Sequence, residues 1–249
     1  MSEYPNFAAL SRTEKENVDF FVRIKERTAS STVIIAPHGG GIEPGTSEIA
    51  EAIAGPDLSF ADFAGLKSTG NGVLHITSTN FDEPRCIALA EAADHVLTIH
   101  GEDHKKPVVY LGGRDTELGG RIREALAKAG FTVKEHPNPQ LQGLAKRNIC
   151  NRNRRGAGVQ LELSRGLREQ LFQSLNAAGR NHPKPELIRL ANAVRDGLGA
   201  SQLPAFEWCR IGREQTARLL KRLRIAPQCR AERIRELRMR KRPENARSQ

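Results

Sequence analysis

The segment Thr32-Val33-Ile34-Ile35-Ala36-Pro37-His38-Gly39-Gly40-Gly41-Ile42-Glu43 decides how this chain reads. Its opening apolar run is continuous rather than alternating, as expected of a strand buried on both faces. The glycines then let the backbone turn sharply, so that His38 and Glu43 can converge on one point. A second apolar run, Val96-Leu97-Thr98-Ile99, also ends on a histidine, His100.

Working outward, further strands are expected at 73–78, 95–99, 107–111, 131–134 and 158–163. Helical patterns lie between and after them. Residues 46–54 start at Thr46 as N-cap with Glu48 in the first turn, and residues 83–93 carry Pro84 at a position suited to N1. Over 115–129, Asp115 caps, Leu118, Ile122, Ala125 and Leu126 form a stripe, and Gly130 stands where a left-handed residue ends a helix. Helices at 165–177 and 184–198 follow. Strand–helix alternation predicts an α/β fold, a mixed open sheet flanked by helices. Ser11 to Arg27 reads as an amphipathic helix rather than a signal peptide. The irregular stretch 136–157, rich in Pro, Asn and Arg, is long enough to suggest a functional loop.

The Gly-rich turn admits several readings. A phosphate loop needs a lysine where Thr46 stands, and Glu43 inside the turn opposes an anion. An esterase oxyanion loop needs a G-x-S-x-G nucleophile elbow, which the sequence lacks. A metal loop needs two imidazoles and a carboxylate, and His38, Glu43 and His100 form such a set, with one coordination position left open. The remaining reading is a turn with hydrogen-bonded histidines. His75, inside Val73-Leu74-His75-Ile76-Thr77, faces the same cleft or is a satisfied buried histidine. His95, His104, His136 and His182 read as surface or loop residues.

In Val159-Gln160-Leu161-Glu162-Leu163 alternation puts Gln160 and Glu162 on one face. A carboxylate on a covered face needs a partner or a role. General base is one role; pairing with Arg147, Arg152, Arg154 or Arg155 is the alternative. The same arginines suit a substrate carboxylate.

The chain has 249 residues and a formal charge of +10, all of it supplied by residues 208–249, with 14 Lys/Arg against 4 Asp/Glu. Two parts are therefore expected, a body over 1–205 and a basic extension, helical or disordered, over 206–249. Cys86, Cys150, Cys209 and Cys229 form no C-x-x-C pair and read as reduced thiols. No apolar run approaches the ~20 residues of a membrane span. A cytoplasmic monomer, with release by lysis left open, is the expectation.

Taken together, APHGGGIEPGTSEIA (36–50), LHITSTNFDEPRC (74–86), TIHG (98–101), VYLGGRD (109–115) and NICNRNRRGAGVQLELSRGLR (148–168) resemble the poly-γ-glutamate hydrolase family of bacteriophages and bacteria. The resemblance implies a zinc-carboxypeptidase-like fold, one catalytic Zn2+, and hydrolysis of the γ-glutamyl amide bonds of poly-γ-glutamate. It makes His38, Glu43 and His100 the zinc ligands and Glu162 the general base. It makes Arg152, with Asn151, Arg155 and His75, candidates for holding substrate. Asn80 departs from the pattern, standing where a basic residue is expected. Two other functions compete: a non-enzymatic, decayed fold serving a nucleic-acid-binding basic tail, and a zinc amidase acting on another acylated amino acid.

Overall fold

The computed structural model describes residues 4–203. The extension 206–249, with Cys209 and Cys229, lies outside the described residues. Seven strands, β1 (Phe20–Lys25), β2 (Thr32–Gly40), β3 (Ser59–Gly65), β4 (His95–Glu102), β5 (Val109–Gly113), β6 (Val133–Lys134) and β7 (Val159–Ser164), form one sheet in the order β1-β3-β2-β4-β7-β5-β6. The central strands β3, β2, β4 and β7 run parallel. Antiparallel β1 closes one side and β5 joins the other antiparallel to β7. The sheet is thus mixed and open, as expected.

Helices cover both faces. Strand pleating sends Val33 and Ile35 to one side, into an apolar cluster with Phe20, Phe63, Phe81 and Val96. Helices α1 (Phe7–Thr13) and α3 (Pro84–Glu91) close over this side through Leu10, Cys86 and Leu89. On the opposite face α2 (Thr46–Ala54) packs on β2, β3 and β4, while α4 (Thr116–Lys128) and α6 (Pro185–Gly197) pack on each other. Each buried Phe, Ile or Leu contributes about 1.5–3 kcal/mol relative to exposure. Cys86 and Cys150 are buried free thiols, and no described helix is long and apolar enough to cross a membrane.

Helix ends follow local capping. The Asp115 side chain accepts from the Leu118 N–H, and Ser164 caps α5 (Arg165–Leu171) through the Leu167 N–H. Helix α2 begins after Gly45 in a left-handed conformation, so Thr46 is its first residue and not its cap. Helix α5 stops at Leu171, short of the expected 177, because Phe172 turns extended and bridges to Pro183.

Larger departures concern whole elements. Ser11–Arg27 is not one helix: α1 ends at Thr13, Asn17 adopts φ 64°, and Phe20–Lys25 is edge strand β1. Residues 73–78 are not a strand but a 3₁₀ turn (Asn71–Leu74) followed by irregular chain, whose Leu74 and Ile76 anchor in the apolar cluster. Strand β3, buried along its whole length, was not anticipated.

Candidate metal centre

The chain leaves β2 for β3 on one side of the sheet and later crosses to β4 on the other. Ligands of open α/β sheets bind outside the carboxyl ends of the strands at such a switch point. Here the two strands also part: β2 pairs with β4 only as far as Ile35 and Thr98. Just beyond, the β2–β3 register slips between Ala36 and Gly39, a bulge that re-aims His38.

Beneath the Gly-rich turn lies a charged support. The Gly40 N–H donates to Ser47 Oγ (2.7 Å), and Ser47 Oγ donates to Asp62 Oδ1 (2.8 Å). Arg23 Nε and Nη2 donate to Asp62 Oδ2 at 3.1 and 2.7 Å. A Cβ on Gly39 would lie 2.0 Å from Asp62 Oδ1, so only glycine lets the turn approach this fully buried carboxylate.

Above the turn, four side chains meet. His38 Nδ1 lies 2.9 Å from Glu43 Oε1 and 3.2 Å from His100 Nδ1; His100 Nδ1 lies 3.9 Å from Glu43 Oε2. His75 Nε2 is 3.6 Å from Glu43 Oε1, and its ring lies over that of His38 at 4.0 Å between centroids. His38 and His100 are both 2% exposed, whereas His75 is half-buried. The His38 Nε2–H donates to the Ile76 carbonyl (2.6 Å), which can only accept. This fixes Nδ1 as the nitrogen aimed at Glu43 and His100, the arrangement in which a metal-binding histidine anchors its other ring nitrogen to the main chain. The Gly101 N–H holds Glu43 Oε2 at 2.7 Å.

The charges fit a cation. Burial disfavours the His38 imidazolium, but the Glu43 carboxylate and its hydrogen bond more than offset this and raise its pKa. Burial likewise works against ionised Glu43, and His38 overrides it, so its pKa falls. His100 is driven down to about 3 by burial and by the charge of His38, and stays neutral, the state that binds metal. Its Nε2 is buried and, among the described residues, has no hydrogen-bond partner. Donors held at 2.0–2.1 Å around a tetrahedral zinc lie about 3.3 Å apart. The separations of 2.9, 3.2 and 3.9 Å bracket that value. His38, Glu43 and His75 also offer one ligand atom each within 4.8 Å of one another.

Glu162 stands next to His100 in the β4–β7 register and on the same face. Its partner is Gln160, whose Nε2 donates to Glu162 Oε1 (2.9 Å) and to the Leu141 carbonyl (3.1 Å), while Gln160 Oε1 accepts from Asn148 (2.9 Å). The pKa of Glu162 is pushed well above the usual carboxylate range, by burial first and then by the charges of Glu43 and Glu102.

The expected substrate arginines are elsewhere. Arg152 pairs with Glu91 (2.6 Å). Arg155 donates to Asp115 (2.9 Å) and reaches His95 (3.0 Å), at the start of β4. That start is about 17 Å of strand away from His100. Asn151 is consumed structurally: its side chain accepts from the Gly158 and Arg114 N–H groups and donates to the Gly143 and Ala145 carbonyls. Asn80 is exposed. His136 is not a surface residue but is buried against Tyr110. Sequence reading missed Gln160 as the holder of Glu162, although alternation had put both on one face; it also missed the Asp62 support, which arrives on the unanticipated β3.

Comparison with known proteins identifies the family and the fold. The chain is 39% identical over 173 residues to the UPF0714 protein YndL of Bacillus subtilis (strain 168), covering 68% of this chain and 66% of the relative. It is 37% identical to the SPbeta prophage-derived UPF0714 protein YoqZ of the same organism, over 72% of this chain and 65% of the relative. The chain thus spans just under two thirds of the length of these relatives. Among solved structures, a bacteriophage poly-gamma-glutamate hydrolase superposes with a TM-score of 0.76 at 30% identity, over 80% of this chain and 97% of that one. A zinc-free apo form of YNDL gives 0.74 at 34% identity, over 82% and 100%. The sequence profile of the poly-gamma-glutamate hydrolases matches residues 4–193, and the chain belongs to the poly-gamma-glutamate hydrolase family.

Proposed function

We propose that this chain is a zinc-dependent hydrolase of the γ-glutamyl amide bonds of poly-γ-glutamate, with His38, Glu43 and His100 as metal ligands and Glu162 as general base. The observation that carries the reading is the meeting of His38 Nδ1, His100 Nδ1 and the Glu43 carboxylate within 3.9 Å, at the split between two parallel strands. The family and the zinc-free form of its relative support the metal. When bound there, zinc supplies a Lewis acid for the scissile carbonyl and lowers the pKa of water toward ~7.

The chain's own residues do the rest. Glu43 is fixed by the Gly101 N–H, so the ligand carboxylate does not rotate away. Glu162, oriented by Gln160, takes a proton from the attacking water and returns it to the leaving amine. A divalent charge beside it favours its ionised form.

A second ligand set, with His75 in place of His100, draws on the grouping of His38, Glu43 and His75. Ring geometry favours His100. Imidazole lone pairs lie in the ring plane; the His38 and His75 rings overlap at 33°, whereas His38 and His100 meet at 63°. Purified protein incubated with high-molecular-weight poly-γ-glutamate, followed by size, tests the function. The expected result is chain shortening that a chelator stops and zinc restores. Shortening indifferent to the chelator, or a zinc-loaded protein that leaves the polymer intact, refutes it.

A further inference from the structure

Helix α5 carries a buried arginine that none of the chemistry above uses. Arg168 is 4% exposed, and burial lowers its pKa. Its three hydrogen-bond acceptors are all main-chain carbonyls: Nε donates to Leu163 (3.1 Å), Nη1 to Pro44 (2.6 Å) and Nη2 to Glu102 (3.0 Å). Burying a guanidinium is costly, and a single carbonyl would not offset it. The choice of carbonyls is informative. Pro44 follows Glu43, Leu163 follows Glu162, and Glu102 lies two residues beyond His100. One rigid fork therefore joins the Gly-rich turn, the end of β4 and the end of β7.

Gly101 belongs to the same device. A Cβ there would lie 2.7 Å from Arg168 Cζ and 2.9 Å from Nε, so the guanidinium rests against the bare glycine. The N–H of that glycine holds Glu43 Oε2. The parting of β2 from β4 leaves the Gly-rich turn without ladder bonds to the end of β4, whereas β4 and β7 stay paired as far as Glu102 and Ser164.

We propose that Arg168 is a positioning residue, whose three-way grip on the carbonyls of Pro44, Glu102 and Leu163 sets the distance of Glu43, on the Gly-rich turn, from His100 and Glu162 on the paired ends of β4 and β7. It touches neither ligand nor substrate. This rests on the function proposed above. Lysine keeps the charge but presents a point donor rather than a planar fork, and cannot hold three divergent carbonyls.

The test is Arg168→Lys, with Gly101→Ala as a second variant that pushes the guanidinium aside without removing it. Zinc affinity is read by chelator competition without substrate, beside kcat, KM and melting temperature. Groups that orient metal ligands are typically worth 10–100-fold in metal affinity or activity. Both variants are expected to stay folded, bind zinc at least ~10-fold more weakly, and lose kcat at saturating zinc with KM within about threefold. Arg168→Gln is expected to lose more than Arg168→Lys. A lower melting temperature with wild-type zinc affinity and kcat, in either folded variant, overturns the proposal and leaves a purely structural arginine. A wild-type protein that binds no zinc overturns both this and the function beneath it, whereas wild-type zinc binding with unaltered variants overturns this alone.

Discussion

Replacing Glu162 by glutamine separates a catalytic from a structural carboxylate, because the two readings move different observables in opposite directions. The amide keeps the shape and still accepts from Gln160 Nε2, so the network through Asn148 and Leu141 survives. What is lost is the ability to take a proton. A general base is worth 10²–10⁴-fold in rate, about 3–5 kcal/mol of barrier. Stability moves the other way. The folded-state pKa of Glu162 is raised by burial and by its neighbouring carboxylates. Below the unfolded carboxyl pKa of ~4.3 both states hold the proton and there is no effect. Above it the unfolded chain ionises while the folded one does not, so wild-type stability falls by about 1.4 kcal/mol per pH unit until the folded pKa is reached. Glutamine is neutral throughout and escapes this loss. The metal-free variant is therefore expected to melt higher than the metal-free wild type at pH 8 and nearly with it at pH 4. The zinc-loaded variant is expected to turn over poly-γ-glutamate at least ~100-fold more slowly. Calorimetry and turnover on one preparation decide it. A variant that melts lower at pH 8 and is fully active per zinc-loaded molecule refutes both the role and the electrostatic argument.

Two further outcomes follow from the site and the sequence. His100→Ala is expected to lose stoichiometric zinc on dialysis while His75→Ala keeps it, because the half-buried His75 stacks on His38 rather than pointing an edge at it; metal analysis showing the reverse exchanges the two ligands. Removal of residues 208–249 is expected to leave turnover of a short γ-glutamyl substrate unchanged, since every residue assigned a role lies at or before Arg168, and to raise KM for long polymer at low salt, where 14 basic residues attract a polyanion. Loss of short-substrate turnover in folded, zinc-loaded truncated protein counts against this division of labour.

The parts of the fold legible in the sequence are those whose cause is local. Strands β2, β4 and β7 show as short apolar runs, and α4 shows its cap, its stripe and its terminal glycine within one window. Strand β3 was hidden because Asp62 sits in its middle. What makes a buried charge tolerable there is Arg23, 39 residues earlier on β1. The same arginine identifies Phe20–Lys25 as the edge strand beside β3, not as the continuation of a helix. The two errors are thus one unseen contact. At 73–78 the apolar alternation was real, but Leu74 and Ile76 anchor a loop, and period alone does not distinguish an anchored loop from a strand.

The site divides in the same way. The meeting of His38, Glu43 and His100 was legible because each belongs to a strand end or the turn after it, and strand ends are what an α/β sheet offers to a ligand. Arg152 and Arg155, which the resemblance offers for holding substrate, pair with Glu91 and Asp115 instead. Strand direction decides the matter. Since β7 runs parallel to β4, residues just before Val159 lie at the end of the sheet where His95 begins β4, not where His100 ends it. The contact of Arg155 with His95 is the direct consequence. Residues just after β7 lie at the other end, with His100 and Glu43, and that is where Arg168 is found, reaching Pro44 and Glu102. Of the arginines flanking this strand, Arg152, Arg154 and Arg155 before it pair with Glu91, Asp94 and Asp115, and Arg168 after it grips the segments that carry Glu43 and His100. A search for further substrate contacts therefore belongs to segments that leave the carboxyl ends of β2, β4 and β7, and to β5, whose antiparallel course sets Tyr110 opposite Glu162.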